Sequence, residues 1–183
     1  MKLFFKEYEI IMKLNHPNII KTFGICFGDK KHSPSILLEY CPHTLKSCIK
    51  TLSNEERIQI ITEIIETMKH VHSTGMIHRD LKPENILLDI DKHEKLSDFG
   101  LCRIVNTEKL TQSLTDCVGT RPFMAPELVK GRTDYTNKID VYAFGAVVYI
   151  ILSKGKYPNI KFFDVGLGKK ATIPCNFSQK AKE

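Results

Sequence analysis

The stretch "IHRDLKPENILLD", residues 77–89, packs His78, Arg79, Asp80, Lys82, Glu84, Asn85 and Asp89 into thirteen positions. Its last four residues, 86–89, read as a short strand. A "DIDKH" turn follows, and residues 94–97 read as the returning strand. Upstream, Ser53 followed by Glu56 has the form of a capping box, in which each side chain accepts from an otherwise unpaired backbone N–H. That box opens a helix whose predicted apolar stripe is Ile58, Ile61, Ile65 and Met68, closing near Gly75. A polar loop dense in ionisable groups is therefore set between a long helix and a hairpin.

Farther out, Phe4, Tyr8, Ile11 and Leu14 recur at helical spacing, and Asn15-His16-Pro17 ends that helix. Residues 18–27 and 35–41 read as paired strands around "GDKKHSPS". Residues 99–125 read as a long irregular loop, the kind that carries function inside a compact domain. Residues 138–153 read as an apolar helix with Gly155 at its C′ position. Few strands early and helices later give an α+β fold, mostly helical.

Composition narrows the function classes. Of 183 residues, 42% are apolar and 26% charged, enough to bury a core in one domain or a large piece of one. The net charge is +6 without an arginine stripe interleaved with aromatics, so nucleic-acid binding has little support, whereas an anionic ligand such as a nucleotide is compatible. The longest apolar run, "VYAFGAVVYIIL" at 141–152, has twelve residues and is too short to span a bilayer. Six cysteines without a C-x-x-C pair read as reduced thiols, and the charged start is unlike a signal peptide. A cytoplasmic location is the expectation.

"HRDLKPEN" at 78–85, "DFG" at 98–100 and "APE" at 125–127, in that order, resemble the signature of the protein kinase family. Taken singly, Asp80 could be a turn residue, Asn85 a cap and Asp98 a strand-end turn former. Jointly they would need several coincidences in register. The resemblance implies a protein-kinase-like fold, a mostly helical large lobe at 42–183 with a partial small lobe and hinge at 1–41. It implies transfer of the γ-phosphoryl group of ATP to a protein hydroxyl, which needs positioning and charge neutralisation more than covalent help.

By that resemblance, Asp80 accepts the proton of the substrate hydroxyl and Lys82 neutralises the transferring group. Asn85 and Asp98 hold Mg²⁺ through oxygen, as hard cations demand. Glu39, Tyr40 and Cys41 form the hinge that hydrogen-bonds adenine, Leu38 gates the pocket behind it, and Leu87 packs under the ring. Lys82 and Thr120 favour a serine/threonine enzyme, and "DVYAFG" looks like the tyrosine-kinase-like group of such enzymes. Asp140 holds the backbone around His78 and Arg79. Arg79 pairs with a phosphate on the activation loop, where Thr107, Thr111, Ser113 and Thr115 are candidate acceptors. A regulatory protein partner is compatible with such a loop.

Two family features have no counterpart in the 183 residues. Glu7 matches the helix glutamate that pairs with a strand lysine on the ATP phosphates, yet no G-x-G-x-x-G loop and no V-A-I-K-like strand occurs. Without its partner, Glu7 reads as a solvated surface acid. Glu127 normally pairs with an arginine in the last helices, and no arginine follows Arg132. The expectation is a domain truncated at both ends and little or no activity from this chain. One side of the helix at 138–153 should then be exposed. The alternative is a non-catalytic, pseudokinase-like scaffold that binds partners.

Overall fold

The structure is a computed structural model that describes residues 2–28, 32–104, 119–132, 134–159, 164–165 and 168–169. Helix α1 (Lys2–Lys13) buries Ile10 and Ile11 and stops before Pro17. Strands β1 (Thr22–Cys26) and β2 (Ser35–Leu38) pair antiparallel, with a bulge between Thr22 and Gly24. Strand β3 (His43–Thr44) leads into the short helix α2 (Leu45–Cys48), capped by Thr44. Helix α3 (Asn54–Ser73) follows, and its Ser53–Glu56 capping box is formed in both directions.

After α3 the chain makes β4 (Met76–Ile77), the polar loop, then β5 (Ile86–Leu88) and β6 (Glu94–Leu96). The hairpin turn is closed by Asp89, whose Oδ1 accepts the backbone N–H of Asp91 and of His93. Strands β3, β5 and β6 make one antiparallel sheet, in that order. Strand β7 (Arg103–Ile104) pairs with β4. A 3₁₀ turn (Arg121–Phe123), the short helix α4 (Pro126–Val129) and helix α5 (Lys138–Leu152) complete the described elements. The result is α+β, as read from the sequence.

One apolar cluster runs from Ile10 and Ile11 of α1, through Ile60 and Ile64 of α3, to Val147 and Ile150 of α5. Leu81, Ile86 and Phe99 sit inside it without exposure, so the polar loop is anchored on both flanks by core residues. Burying side chains of this size stabilises by about 1.5–3 kcal/mol each before entropy is counted. The segment 18–20 is tied to β6 by Leu96 N–H to Asn18 carbonyl (2.8 Å) and Ile20 N–H to Leu96 carbonyl (2.9 Å).

The structure revises two sequence expectations here. The face of α3 that is buried carries Arg57, Ile60, Ile64, Thr67, Met68 and Val71, whereas Ile58 is 64% exposed and Ile65 also turns outward. The helix has isoleucine on both sides, so periodicity alone could not choose between them. Packing against the hairpin and α5 selects the 60/64 face. Gly155 is one position beyond C′. Lys154 takes the left-handed turn (φ 57°), and Gly155 N–H bonds the Ile150 carbonyl at 2.8 Å, which is a Schellman closure. The expected exposure of one side of α5 is seen at Val141 and Leu152.

The corrected face is testable. Ile64→Ala should cost about 2–5 kcal/mol in urea unfolding. Ile58→Ala should stay within about 0.5 kcal/mol. The opposite ranking would mean that α3 is docked by its other face.

Candidate active site

The polar loop between β4 and β5 is held from below by one side chain. Asp140, in the first turn of α5, is 1% exposed. Its Oδ2 accepts the backbone N–H of His78 and its Oδ1 that of Arg79, both at 2.9 Å. His72 Nε2 donates to the same Oδ2 at 2.8 Å. Three N–H donors satisfy a carboxylate that would otherwise be costly to bury. The expected contact of Asp140 with the backbone of 78–79 is present. The His72 contact had no sequence signal, because a histidine in the last turn of a helix also reads as a favourable end charge.

Held this way, Arg79 adopts φ 70°, a left-handed conformation uncommon for a side chain with a Cβ. Asp98 does the same at φ 63°. Such residues cost of order 1–3 kcal/mol each and persist where surrounding structure imposes them. The Arg79 guanidinium donates to the Leu101 carbonyl (2.6 Å) and the Tyr135 hydroxyl (2.8 Å), bridging the "DFG" segment to the approach to α5. His78 is fully buried, edge-on to Phe99 at 5.1 Å between ring centroids. Its Nε2 faces the Ser97 carbonyl, which can only accept, and its Nδ1 faces the Asp80 N–H, which can only donate. That pairing requires a neutral ring with its proton on Nε2, and burial holds the imidazole below its ordinary pKa.

Asp80 is the centre of a saturated network. Its Oδ2 accepts from Lys82 Nζ and from Asn85 Nδ2 (3.0 Å), and its Oδ1 accepts from the Thr120 hydroxyl at 2.9 Å. Lys82 Nζ also reaches the Thr120 hydroxyl oxygen at 3.0 Å. The expected proximity of Thr120 to Asp80 is therefore present, across forty residues of chain. Gly119 permits it. Its φ is 126°, and a Cβ there would lie 3.2 Å from the Arg79 carbonyl. Asn85 gives both N–H contacts to Asp80, to its carbonyl (2.9 Å) and its carboxylate, which leaves Oδ1 as the amide's free acceptor.

Asp98 follows Ser97, whose hydroxyl bonds the Asn85 carbonyl, and is exposed. A Cβ on Gly100 would lie 3.4 Å from Asp98 Oδ1 and 3.5 Å from Glu7 Oε2, so the two carboxylates flank one glycine. Glu7 is half-buried, and burial followed by the Asp98 charge raises its pKa. The reading of Glu7 as a solvated surface acid is thus corrected, because α1 packs its carboxyl against the "DFG" turn. Among the described residues no group of three or more His, Cys, Asp or Glu side chains is placed to hold a metal. Asn85 and Asp98 offer oxygen atoms suited to Mg²⁺, a cation that keeps several waters and takes one or two protein ligands.

The residues expected around adenine are placed less compactly. Leu38 ends β2 and is exposed, Tyr40 is 86% exposed, and Cys41 is partly buried. The Glu39 side chain turns away, accepting Lys21 N–H at 2.6 Å, with Lys95 Nζ 3.6 Å from its other oxygen. Leu87 is half-buried on β5 opposite Thr44. A cavity of about 680 Å³ lies elsewhere, lined by Met12, His16, Lys21 and Lys95 among others, and Glu39 alone of the expected site residues borders it. Thr107, Thr111, Ser113 and Thr115 lie outside the described residues.

Comparison with known proteins agrees with the motifs. The protein kinase domain model matches residues 1–167. A probable serine/threonine-protein kinase of Dictyostelium discoideum is 36% identical over 82% of this chain and 11% of its own length. A probable serine/threonine-protein kinase of Lactococcus lactis is 35% identical over 85% of the chain and 25% of its own length. A cytoplasmic tyrosine-protein kinase of Mus musculus is 36% identical over 85% of the chain and 24% of its length. The chain spans a quarter or less of each of these three relatives.

The Asp140 anchor predicts an ordered pair of variants. Asp140→Ala strands the backbone N–H groups of His78 and Arg79, besides the His72 ring N–H, and should cost roughly 2–6 kcal/mol in urea unfolding, about 1–3 for each backbone group. Asp140→Asn keeps an oxygen acceptor and should cost less. Equal losses would show that the carboxyl is not the acceptor. His78 adds a pH arm. Its lowered pKa contributes stability that is present above the ordinary value of about 6.5 and is lost as the pH falls through the lowered value. The drop in urea midpoint from pH 7 to pH 5 should therefore shrink in His78→Phe.

Proposed function

The chain belongs to the protein kinase family, and from that premise we propose that its polar loop serves transfer of the γ-phosphoryl group of ATP to a serine or threonine hydroxyl of a protein. The observation that carries this reading is the Asp80–Lys82–Asn85–Thr120 network. Asp80 is the base that receives the hydroxyl proton. Lys82, bonded to Asp80 and Thr120, places its positive charge where the phosphoryl group passes. Asn85 Oδ1 and the Asp98 carboxylate are the proposed Mg²⁺ ligands. When bound, Mg²⁺ supplies neutralisation of the phosphate oxygens as charge shifts to the leaving group.

Adenine is assigned to the hinge, Glu39 to Cys41, with Leu38 behind it and Leu87 below. In support, neither the Glu39 carbonyl nor the Cys41 N–H takes part in a hydrogen bond among the described residues. The small-lobe and hinge portion is assigned to residues 1–41 and the large lobe to residues 42–183. Preference for serine or threonine rests on Lys82, on the Thr120 contact, and on the names of most of the similar relatives, one of which is nonetheless a tyrosine kinase. No described helix is long and apolar enough to cross a membrane. A cytoplasmic setting and a regulatory protein partner belong to the same proposal.

Glu7 has no lysine partner among the described residues, and the 183 residues contain no G-x-G-x-x-G loop. These 183 residues by themselves are therefore proposed to bind MgATP but turn over little or none of it. The scaffold alternative differs in a measurable way. At about 100 times its Kd, MgATP should raise the melting temperature by roughly 5–10 °C, and Asp98→Asn should remove the rise. Phosphorylation of a generic protein substrate should stay at the Asp80→Asn background. Turnover that depends on Asp80 would overturn the inactivity. Absence of any MgATP shift, with Asp98 intact, would favour the scaffold.

A further inference from the structure

Another buried carboxyl lies between β6 and α3, and phosphoryl transfer does not use it. Glu94 opens β6 opposite Leu88 of β5 and has no solvent exposure. Its Oε2 is 3.0 Å from the Thr67 hydroxyl on α3, and its Oε1 is buried without a hydrogen-bond partner. The Thr67 hydroxyl is also 2.9 Å from the Glu63 carbonyl, one turn earlier on α3. A hydroxyl has one proton. That proton is shared between two acceptors, the Glu63 carbonyl and the Glu94 carboxyl. An ionised Glu94 would therefore have at most one shared hydroxyl donor for its two oxygens, and the neutral carboxyl is the form this burial favours.

The surroundings make ionisation unfavourable. From α3, Glu63 aims its carboxylate at the same strand: Oε2 accepts the Glu94 backbone N–H at 2.8 Å, and Oε1 takes the His93 ring at 2.6 Å and Gln59 Nε2 at 3.0 Å. On β6, Lys95 points to the other face, toward the Pro17 carbonyl and Glu39. From the segment after α1, Asn18 Nδ2 donates to the Glu94 carbonyl at 2.9 Å. Farther along α3 and that segment, Glu66 and the stacked His16–His70 pair are the other titratable groups on this seam. Burial pushes the Glu94 carboxyl up to about 8, with the Glu63 charge adding and the Thr67 hydroxyl and Lys95 opposing.

We propose that Glu94 is a proton-operated latch: with its proton on, β6 lies flat against α3, and when the proton leaves for a solvent base, β6 lifts from α3 and loosens both Asn18 and the strand end that carries Asp98. Ionisation would bring a second negative charge beside Glu63 and leave Oε1 as a bare buried anion oxygen. Relief requires either water entering the seam or β6 moving outward. The strand cannot move without its neighbours. Asn18 is bonded to Glu94 and Leu96, and Ser97 donates from both N–H and Oγ to the Asn85 carbonyl at 2.9 Å. The latch therefore connects a proton on β6 to the geometry of Asn85 and Asp98. It does not depend on which reaction those residues serve.

The sign is fixed by the direction of the shift. A carboxyl whose folded pKa is raised contributes stability that is full below the ordinary value of about 4.3 and is lost as the pH rises through about 8. The test uses the 183-residue chain labelled with ¹³C at the glutamate carboxyls and ¹⁵N at the amides, titrated from pH 5 to 9.5. The Glu94 Cδ signal should titrate with a midpoint near 8, and the Asn18 and Leu96 amides should shift with the same midpoint. In Glu94→Gln that amide transition should vanish, and Glu94→Met serves where the amide variant does not fold. A Glu94 midpoint below 6 would overturn the latch. So would Asn18 and Leu96 signals that stay still while Glu94 titrates, or the same amide transition in a folded Glu94 variant.

Discussion

The Asp140 carboxylate is the constraint on which the site depends. A buried acid in the first turn of α5 reaches across to the backbone of His78 and Arg79 and takes a third donor from His72. Without these acceptors the loop's N–H groups would be buried and unpaired, and Arg79 would have no reason to keep its left-handed backbone. Apolar anchoring at Leu81 and Ile86 places the loop in the molecule, but apolar contacts are non-directional. The directional bonds to Asp140 fix which way the backbone of His78 and Arg79 faces.

From that orientation the rest of the site follows as a chain of single-proton choices. With Arg79 fixed, its guanidinium spans Leu101 and Tyr135. With His78 fixed and neutral, Nδ1 meets the Asp80 N–H and Nε2 meets Ser97, just before Asp98. Asp80 is then presented to Lys82, Asn85 and Thr120 together. Each link is an N–H or O–H with one acceptor, so the arrangement tolerates little drift. Two left-handed residues and a glycine at φ 126° show where the backbone is bent to meet it.

Much of this was legible in the sequence because it rests on local rules. The Ser53–Glu56 box, the hairpin around Asp89, the stop before Pro17 and the order of the three motifs all depend on residues near each other in the chain. What was missed depends on packing partners far away. The face of α3 was misassigned because isoleucine occupies both sides and only α5 and the hairpin decide between them. Glu7 was read as solvated because its position beside Asp98 is set by how α1 docks. The expected adenine-binding residues were named from motif register, and Leu38 and Tyr40 prove to be exposed where register alone said nothing about their environment.

Asp140 and Glu94 show two solutions to one problem, a carboxyl in the interior. Asp140 is met by three N–H donors, two from the consecutive residues His78 and Arg79 and one from His72, and an anion needs donors of that kind. Glu94 is offered a single hydroxyl whose one proton it shares with the Glu63 carbonyl, and its second oxygen has no hydrogen-bond partner. The first arrangement is fixed, because any departure strands the loop. The second is conditional, because it lasts only while a proton stays in place. The fixed acid sits under the residues that would do chemistry, and the conditional one sits on the strand that leads to Asp98. The backbone that presents Asp80 is thus held by a fixed anion, whereas the approach of Asp98 and the Ser97 contact to Asn85 depend on one buried proton.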